Sequence, residues 1–252
     1  MKKCFSLLQV AVLAGFISSA QSAAVTINWT SAQNINGDSD VSTTGSLLYA
    51  YNLGETGVAD TTVNGVTFTS GPLSASGNSV SFGQTTLNET PGYLYAYNTL
   101  GTLSGAFSSL SSSYKSLLGS GIYADNPVTM TLSLGGLTSG QQYQFQWWLN
   151  NSKRVDSNVS DGTLFRTTAG NNPYTVGLNA NTTAVTGGLG QYAIGTFTAN
   201  SSTFNINFNG TDGSNVPMIN AFQLRAIPEP STYALFGLGA LGLVIAYRRR
   251  AA

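Results

Sequence analysis

Histidine is absent from the chain and cysteine occurs once, as Cys4, ahead of the first apolar run. These two absences remove Ser-His-Asp triads, Cys nucleophiles and the usual zinc ligand sets, and they leave no disulfide. Charge is scarce as well, at 8% of 252 residues. Between Val25 and Ile227 the only basic residues are Lys115, Lys153, Arg154, Arg166 and Arg225, against nine acids, so this part sits near −4. A phosphate backbone finds no basic patch there, which excludes nucleic acid as a partner.

Carboxylates are too few and too scattered to mark an enzyme. A glycosidase needs two of them across a sugar. Glu55 and Glu89 are the glutamates of the middle, joined by Asp60, Asp125, Asp156, Asp161 and Asp212, and no spacing singles out a pair. No catalytic residue is assigned, no cofactor is implied, and the chain is read as not an enzyme. Asn34, Asn36, Asp38 and Asp40 alternate like cation ligands, but the twelfth position of that loop is Gly45 where an EF-hand has its closing Glu. Asx turns explain the loop, and no metal site is expected.

Long apolar runs occur at the two ends alone. Residues 1–24 read as a signal peptide: Lys2 and Lys3, an apolar stretch from Phe5 to Ile17, then small residues to Ala24. At the other end Pro228, Glu229 and Pro230 lead into the run Tyr233 to Tyr247, which stops at Arg248, Arg249 and Arg250. The arginines are cytoplasmic stop charges. Fifteen residues at about 1.5 Å each reach roughly 22 Å, short of a hydrocarbon core of roughly 30 Å, so a brief transmembrane helix fits better than a permanent one. Gly237-Leu238-Gly239-Ala240-Leu241-Gly242 spells a dinucleotide fingerprint, but no βαβ unit surrounds it, and it belongs to this helix.

The tail, residues 227–252, resembles the PEP-CTERM sorting signal of Gram-negative bacteria, also described as the ice-binding protein C-terminal domain. The resemblance implies recognition of Pro228-Glu229-Pro230 by exosortase, removal of the helix, and an association with extracellular polysaccharide. It also implies a precursor anchored in the inner membrane and a product in the envelope, on the outer surface or outside the cell.

What the middle has in abundance is Gly, Ser, Thr and Asn around short alternating apolar runs. Val25-Thr26-Ile27-Asn28-Trp29 and Thr203-Phe204-Asn205-Ile206-Asn207-Phe208-Asn209 alternate as half-buried strands. Asn64-Gly65 between two β-branched runs calls for a type I′ hairpin. Further strands are expected at 46–51, 79–82, 93–97, 127–134, 142–149, 164–168, 191–198 and 219–227. Phe107, Leu110, Tyr114, Leu117 and Leu118 instead follow a helix face, ended by Gly119. The expected fold of residues 25–226 is all-β, an antiparallel β-sandwich or jelly roll with one short helix. The order from Gly140-x-x-Tyr143-x-Phe145 to a last strand entering the sorting motif is similar to galactose-binding-like jelly rolls.

One constellation suits sugar. Trp148 projects from a row of Gln142, Gln144 and Gln146, and Trp147, Tyr143, Asn150 and Arg154 lie near it in the sequence. These form a candidate carbohydrate-binding site, aromatic rings for a sugar face and polar groups for its hydroxyls. Against it stands the tendency of tryptophans at strand spacing to pack inward. The expected function is an exported envelope or extracellular-matrix protein, structural or polysaccharide-binding. A secreted polysaccharide-acting enzyme and an ice- or surface-binding protein are the alternatives.

Overall fold

The computed structural model describes residues 25–89, 91–124, 129–153, 164–211 and 216–228. The signal segment, Arg154, and everything from Glu229 on, including Pro230 and Arg248 to Arg250, lie outside the described residues.

The chain begins with strands β1 (Asn28–Trp29), β2 (Gln33–Asn34) and β3 (Ser46–Glu55), with a 3-10 turn at Asp38–Asp40 before β3. Next come β4 (Thr61–Val63), β5 (Val66–Leu73), β6 (Ser79–Phe82), β7 (Thr85–Glu89) and β8 (Leu94–Tyr97). Helices α1 (Gly105–Ser108) and α2 (Ser112–Leu118) follow, then β9 (Gly121–Ala124), β10 (Thr129–Leu134) and β11 (Gln142–Leu149). The last strands are β12 (Leu164–Asn171), β13 (Tyr174–Asn181), β14 (Gln191–Thr198), β15 (Phe204–Gly210), β16 (Met218–Ile219) and β17 (Ala221–Ile227).

Two large sheets form the sandwich. One runs β1-β14-β11-β17-β3-β5-β4, with β2 also on β14; the other runs β13-β12-β15-β10-β7-β6. The antiparallel expectation holds for every pair but one, since β5 leaves its hairpin with β4 and joins β3 in parallel. The hairpin itself has Asn64 and Gly65 at φ 49° and 74°, the positive values a type I′ turn demands.

Alternation explains how one sequence supplies both a dry and a wet face. Met130, Leu132 and Leu134 of β10 face the core opposite Phe208, Ile206 and Phe204 of β15. Between them Thr129 and Thr131 donate across the ladder to Asn209 and Asn207 at 2.7 and 3.0 Å. Ring contacts close the gap between the sheets: Phe197 meets Phe204 at 4.4 Å, and Trp147 meets Phe208 edge-on at 5.0 Å.

A second core lies on the outer face of the first sheet, where Phe68, Phe107, Tyr114, Leu117, Leu118 and Trp148 pack together. Helical spacing is legible there, but Ser109 to Ser111 divide the expected single helix into α1 and α2. Ser111 starts the second one by accepting from the Tyr114 N–H at 3.1 Å. A third, small sheet, β16-β9-β8, packs at the side.

Candidate functional site

The tryptophan constellation does not face solvent. Trp147, Trp148 and Asn150 are wholly buried and Tyr143 nearly so, which corrects the expectation of a sugar platform on these residues. Tyr143 and Trp147 point into the sandwich core, and Trp148 into the second core. Its indole donates to Tyr114 Oη at 3.0 Å and meets Phe68 edge-on at 5.5 Å. Asn150 is used up by structure: it donates to the Leu118 carbonyl and accepts from the Gly190 N–H.

The polar row beside Trp148 has a partner other than water. The segment from Asp40 to Gly45 straps across it. Gln146 Nε2 donates to the Asp40 carbonyl at 2.6 Å, Gln223 Nε2 to the Ser42 carbonyl at 3.0 Å, and Arg225 to the carbonyls of Thr43, Thr44 and Gly45. Side-chain amides on a sheet face can bond a neighbouring backbone as readily as water, and the alternation looks the same in either case.

The carboxylates of the 34–40 loop are likewise engaged. Asp40 Oδ2 accepts from the N–H groups of Asn36 and Gly37 at 2.7 and 3.0 Å and from Tyr114 Oη at 3.1 Å. Asp38 accepts from the Ser111 hydroxyl at 2.6 Å. Among the described residues no group of three acidic or thiol side chains is placed to hold a metal.

Burial, with Asp40 beside it, raises the Tyr114 pKa well above 10.0, and burial raises that of Tyr49 as well. Both phenols hold their protons more tightly folded than unfolded. Their contribution to stability is therefore complete below pH 10 and is lost as pH rises beyond it. Each should steepen alkaline destabilisation by about 1.4 kcal/mol per pH unit. Urea midpoints between about pH 9 and 11 should fall less steeply for Tyr114→Phe than for the parent chain.

Of the aromatic rings that reach solvent, Tyr174 stands alone at the start of β13, and the others cluster on the small sheet. Leu94, Ile122 and Ala124 are buried behind it, whereas Tyr95 and Tyr123 are half-buried and Tyr93 and Tyr97 are 57% and 44% exposed. Tyr95 pairs with Tyr123 across the ladder. Tyr123 lies between two parallel rings, Tyr95 at 5.4 Å and Tyr97 at 5.0 Å, and its hydroxyl donates to that of Tyr97 at 3.2 Å. Asn98 and Ser120, just beyond the Tyr97–Gly121 pair, fall on the opposite face and are engaged by β3: Asn98 Oδ1 accepts from the Glu55 N–H at 2.8 Å, and the buried Ser120 hydroxyl donates to Asn52 Oδ1 at 3.4 Å. The sequence showed Tyr93 to Tyr97 as a strand, and its alternation Tyr-Leu-Tyr-Ala-Tyr was the signal for this exposed tyrosine row.

The C-terminal exit from the sandwich lies elsewhere. β17 lies between β11 and β3 at the middle of its sheet, with Ile227 opposite Gln142, and Pro228 is exposed directly after it. Proline has no N–H to continue a ladder. Among the described residues no helix is long and apolar enough to cross a membrane; the run Tyr233 to Tyr247 is not among them.

No curated protein matches the chain. Among solved structures, one from a study of the promiscuous specificity of carbohydrate-binding modules of the β-sandwich superfamily is 12% identical. The match covers 61% of this chain and 66% of that one, just under two thirds, at a TM-score of 0.17, too low to equate the two topologies. A family model, the PEP-CTERM protein-sorting motif, matches residues 226–250. The chain thus carries at its C-terminus, starting within the final two residues of β17, the sorting motif of an exported protein.

Proposed function

We propose that the chain is the precursor of an envelope or extracellular-matrix protein, processed by exosortase at Pro228-Glu229-Pro230, whose sandwich is structural or binds polysaccharide and is not catalytic. The observation that carries this reading is the junction: the sorting motif overlaps the last strand, with no spacer between sandwich and tail. Because β17 is central, the sheet closes only after residues 221–227 have left the membrane. The tail then holds a completed sandwich at the outer membrane-water boundary until it is cut. Against catalysis, Asp38, Asp40 and Asp60 act as anchors for the Ser111 hydroxyl, the N–H groups of Asn36 and Gly37, and the Ser70 N–H.

Intact mass of protein recovered from the envelope and medium of the native host tests the reading. The expected species lacks residues 1–24 and ends near Pro228-Glu229-Pro230. Retention of Tyr233 to Arg250 in all recovered protein would overturn processing and leave a permanently anchored protein.

A further inference from the structure

The tyrosine face of the small sheet fits an uncharged polymer of sugars. A pyranose offers an apolar C–H face with hydroxyls around its rim, so it is held best by an aromatic ring with polar groups beside it. Tyr95, Tyr123 and Tyr97 form a stack, their planes 24° and 5° apart and two of their hydroxyls bonded to each other, so a sugar meets the exposed Tyr97 ring and not the faces that the rings turn to one another. Rings fixed in this way lose little freedom when a ligand lands on them. Tyr93 to Tyr97 extends about 13 Å at strand rise, longer than one sugar ring, which favours a chain over a free monosaccharide.

Charge and apolar character narrow the ligand further. Residues 93–98 and 120–124 contain no acid, lysine or arginine. The exposed aliphatic residues Leu47, Leu103 and Val185 lie on other elements, so the face lacks the continuous greasy surface that a protein partner or a bilayer would bury. We propose that the Tyr95-Tyr123-Tyr97 ladder binds a neutral extracellular polysaccharide. This rests on the reading of the chain as an exported polysaccharide-binding protein and gives that reading a site.

The test is retardation of the detergent-solubilised full chain in native gels containing dextran, hydroxyethylcellulose or galactomannan, with alginate as the anionic comparison. The parent chain should be retarded by at least one neutral polymer. Tyr97→Ala should weaken that binding about tenfold and Tyr97→Phe by no more than about threefold, because the ring face does most of the holding. Tyr97 is exposed enough that the thermal midpoint should not move, and circular dichroism of both variants checks that.

Retardation that persists unchanged in Tyr97→Ala and Tyr123→Ala would overturn this site while leaving polysaccharide binding standing. Absence of retardation by all three neutral polymers, or retardation by alginate alone, would overturn both. If sedimentation shows the parent chain self-associating and Tyr97→Ala monomeric, with polymer binding unaltered, the ladder is a contact between copies and the proposal falls.

Discussion

Trp148→Ala is expected to destabilise the fold by about 3 to 5 kcal/mol, the range for emptying a fully buried tryptophan site. The indole has no exposed surface, and the space it would leave is bounded by Phe68, Tyr114 and the helices above. Its loss also takes the donor from Tyr114 Oη, whose own proton goes to Asp40. Trp148→Phe keeps most of the apolar contact and should cost nearer 1 to 2 kcal/mol, roughly a smaller ring plus one lost hydrogen bond. Urea unfolding of the full chain measures both. Domains are stable by about 5 to 15 kcal/mol in all, so the alanine variant should melt well below the parent. A loss under about 1 kcal/mol would instead mean that Trp148 stands free of the second core, as a surface platform does.

That contrast shows where the sequence was legible. Strands β10 and β15 are readable because strict alternation of Met, Leu, Phe and Ile with Thr and Asn leaves one assignment, and the structure pairs them residue for residue. The Asn64-Gly65 hairpin is readable because few residue pairs tolerate two positive φ angles. Four strands escaped: the two-residue β2, and β7, β9 and β13. β7 is five residues long and polar at Thr85, Thr86 and Asn88, and its place comes from being clamped between β10 and β6. β13 is interrupted by Gly177, Asn179 and Asn181 and is held by its partner β12. In these cases the neighbour decides the structure, and the neighbour is not local.

The burial of the tryptophan constellation was not legible for a related reason. A glutamine row next to a tryptophan looks like a wet, sugar-binding face, yet the strap at 40–45 comes from about a hundred residues away in sequence to cover Gln146. Tyr93, Tyr95 and Tyr97 show the opposite case. The sequence puts them on one face, but only the fold brings Tyr123 into their ladder and leaves that face uncovered. The sorting motif, by contrast, was legible almost whole, because its recognition depends on contiguous residues and not on folding.

Asn220→Ala should rival Trp148→Ala in effect although it removes only a few atoms. Asn220 is fully buried between β16 and β17. Its Nδ2 lies 2.6 to 3.1 Å from the carbonyls of Ser120, Asn150 and Leu118, and its Oδ1 accepts from the Asn150 N–H at 2.6 Å. One side chain thus joins the end of α2, the start of β9 and the end of β11. Alanine would strand several buried backbone groups at once, at about 1 to 3 kcal/mol for each left unsatisfied, although water entering the gap would recover part of this. A net loss of about 3 kcal/mol in urea unfolding is expected, and a loss below about 1 kcal/mol would show that the carbonyls find other partners. Asn220→Asp sharpens the test. A carboxylate cannot donate and would face three carbonyl oxygens, so burial would raise its pKa above the roughly 3.9 of a free aspartate. Only the protonated form can donate. The stability of this variant relative to the parent should therefore be greatest below about pH 4 and fall as pH rises through the raised pKa, whereas the deficit of Asn220→Ala should not depend on pH.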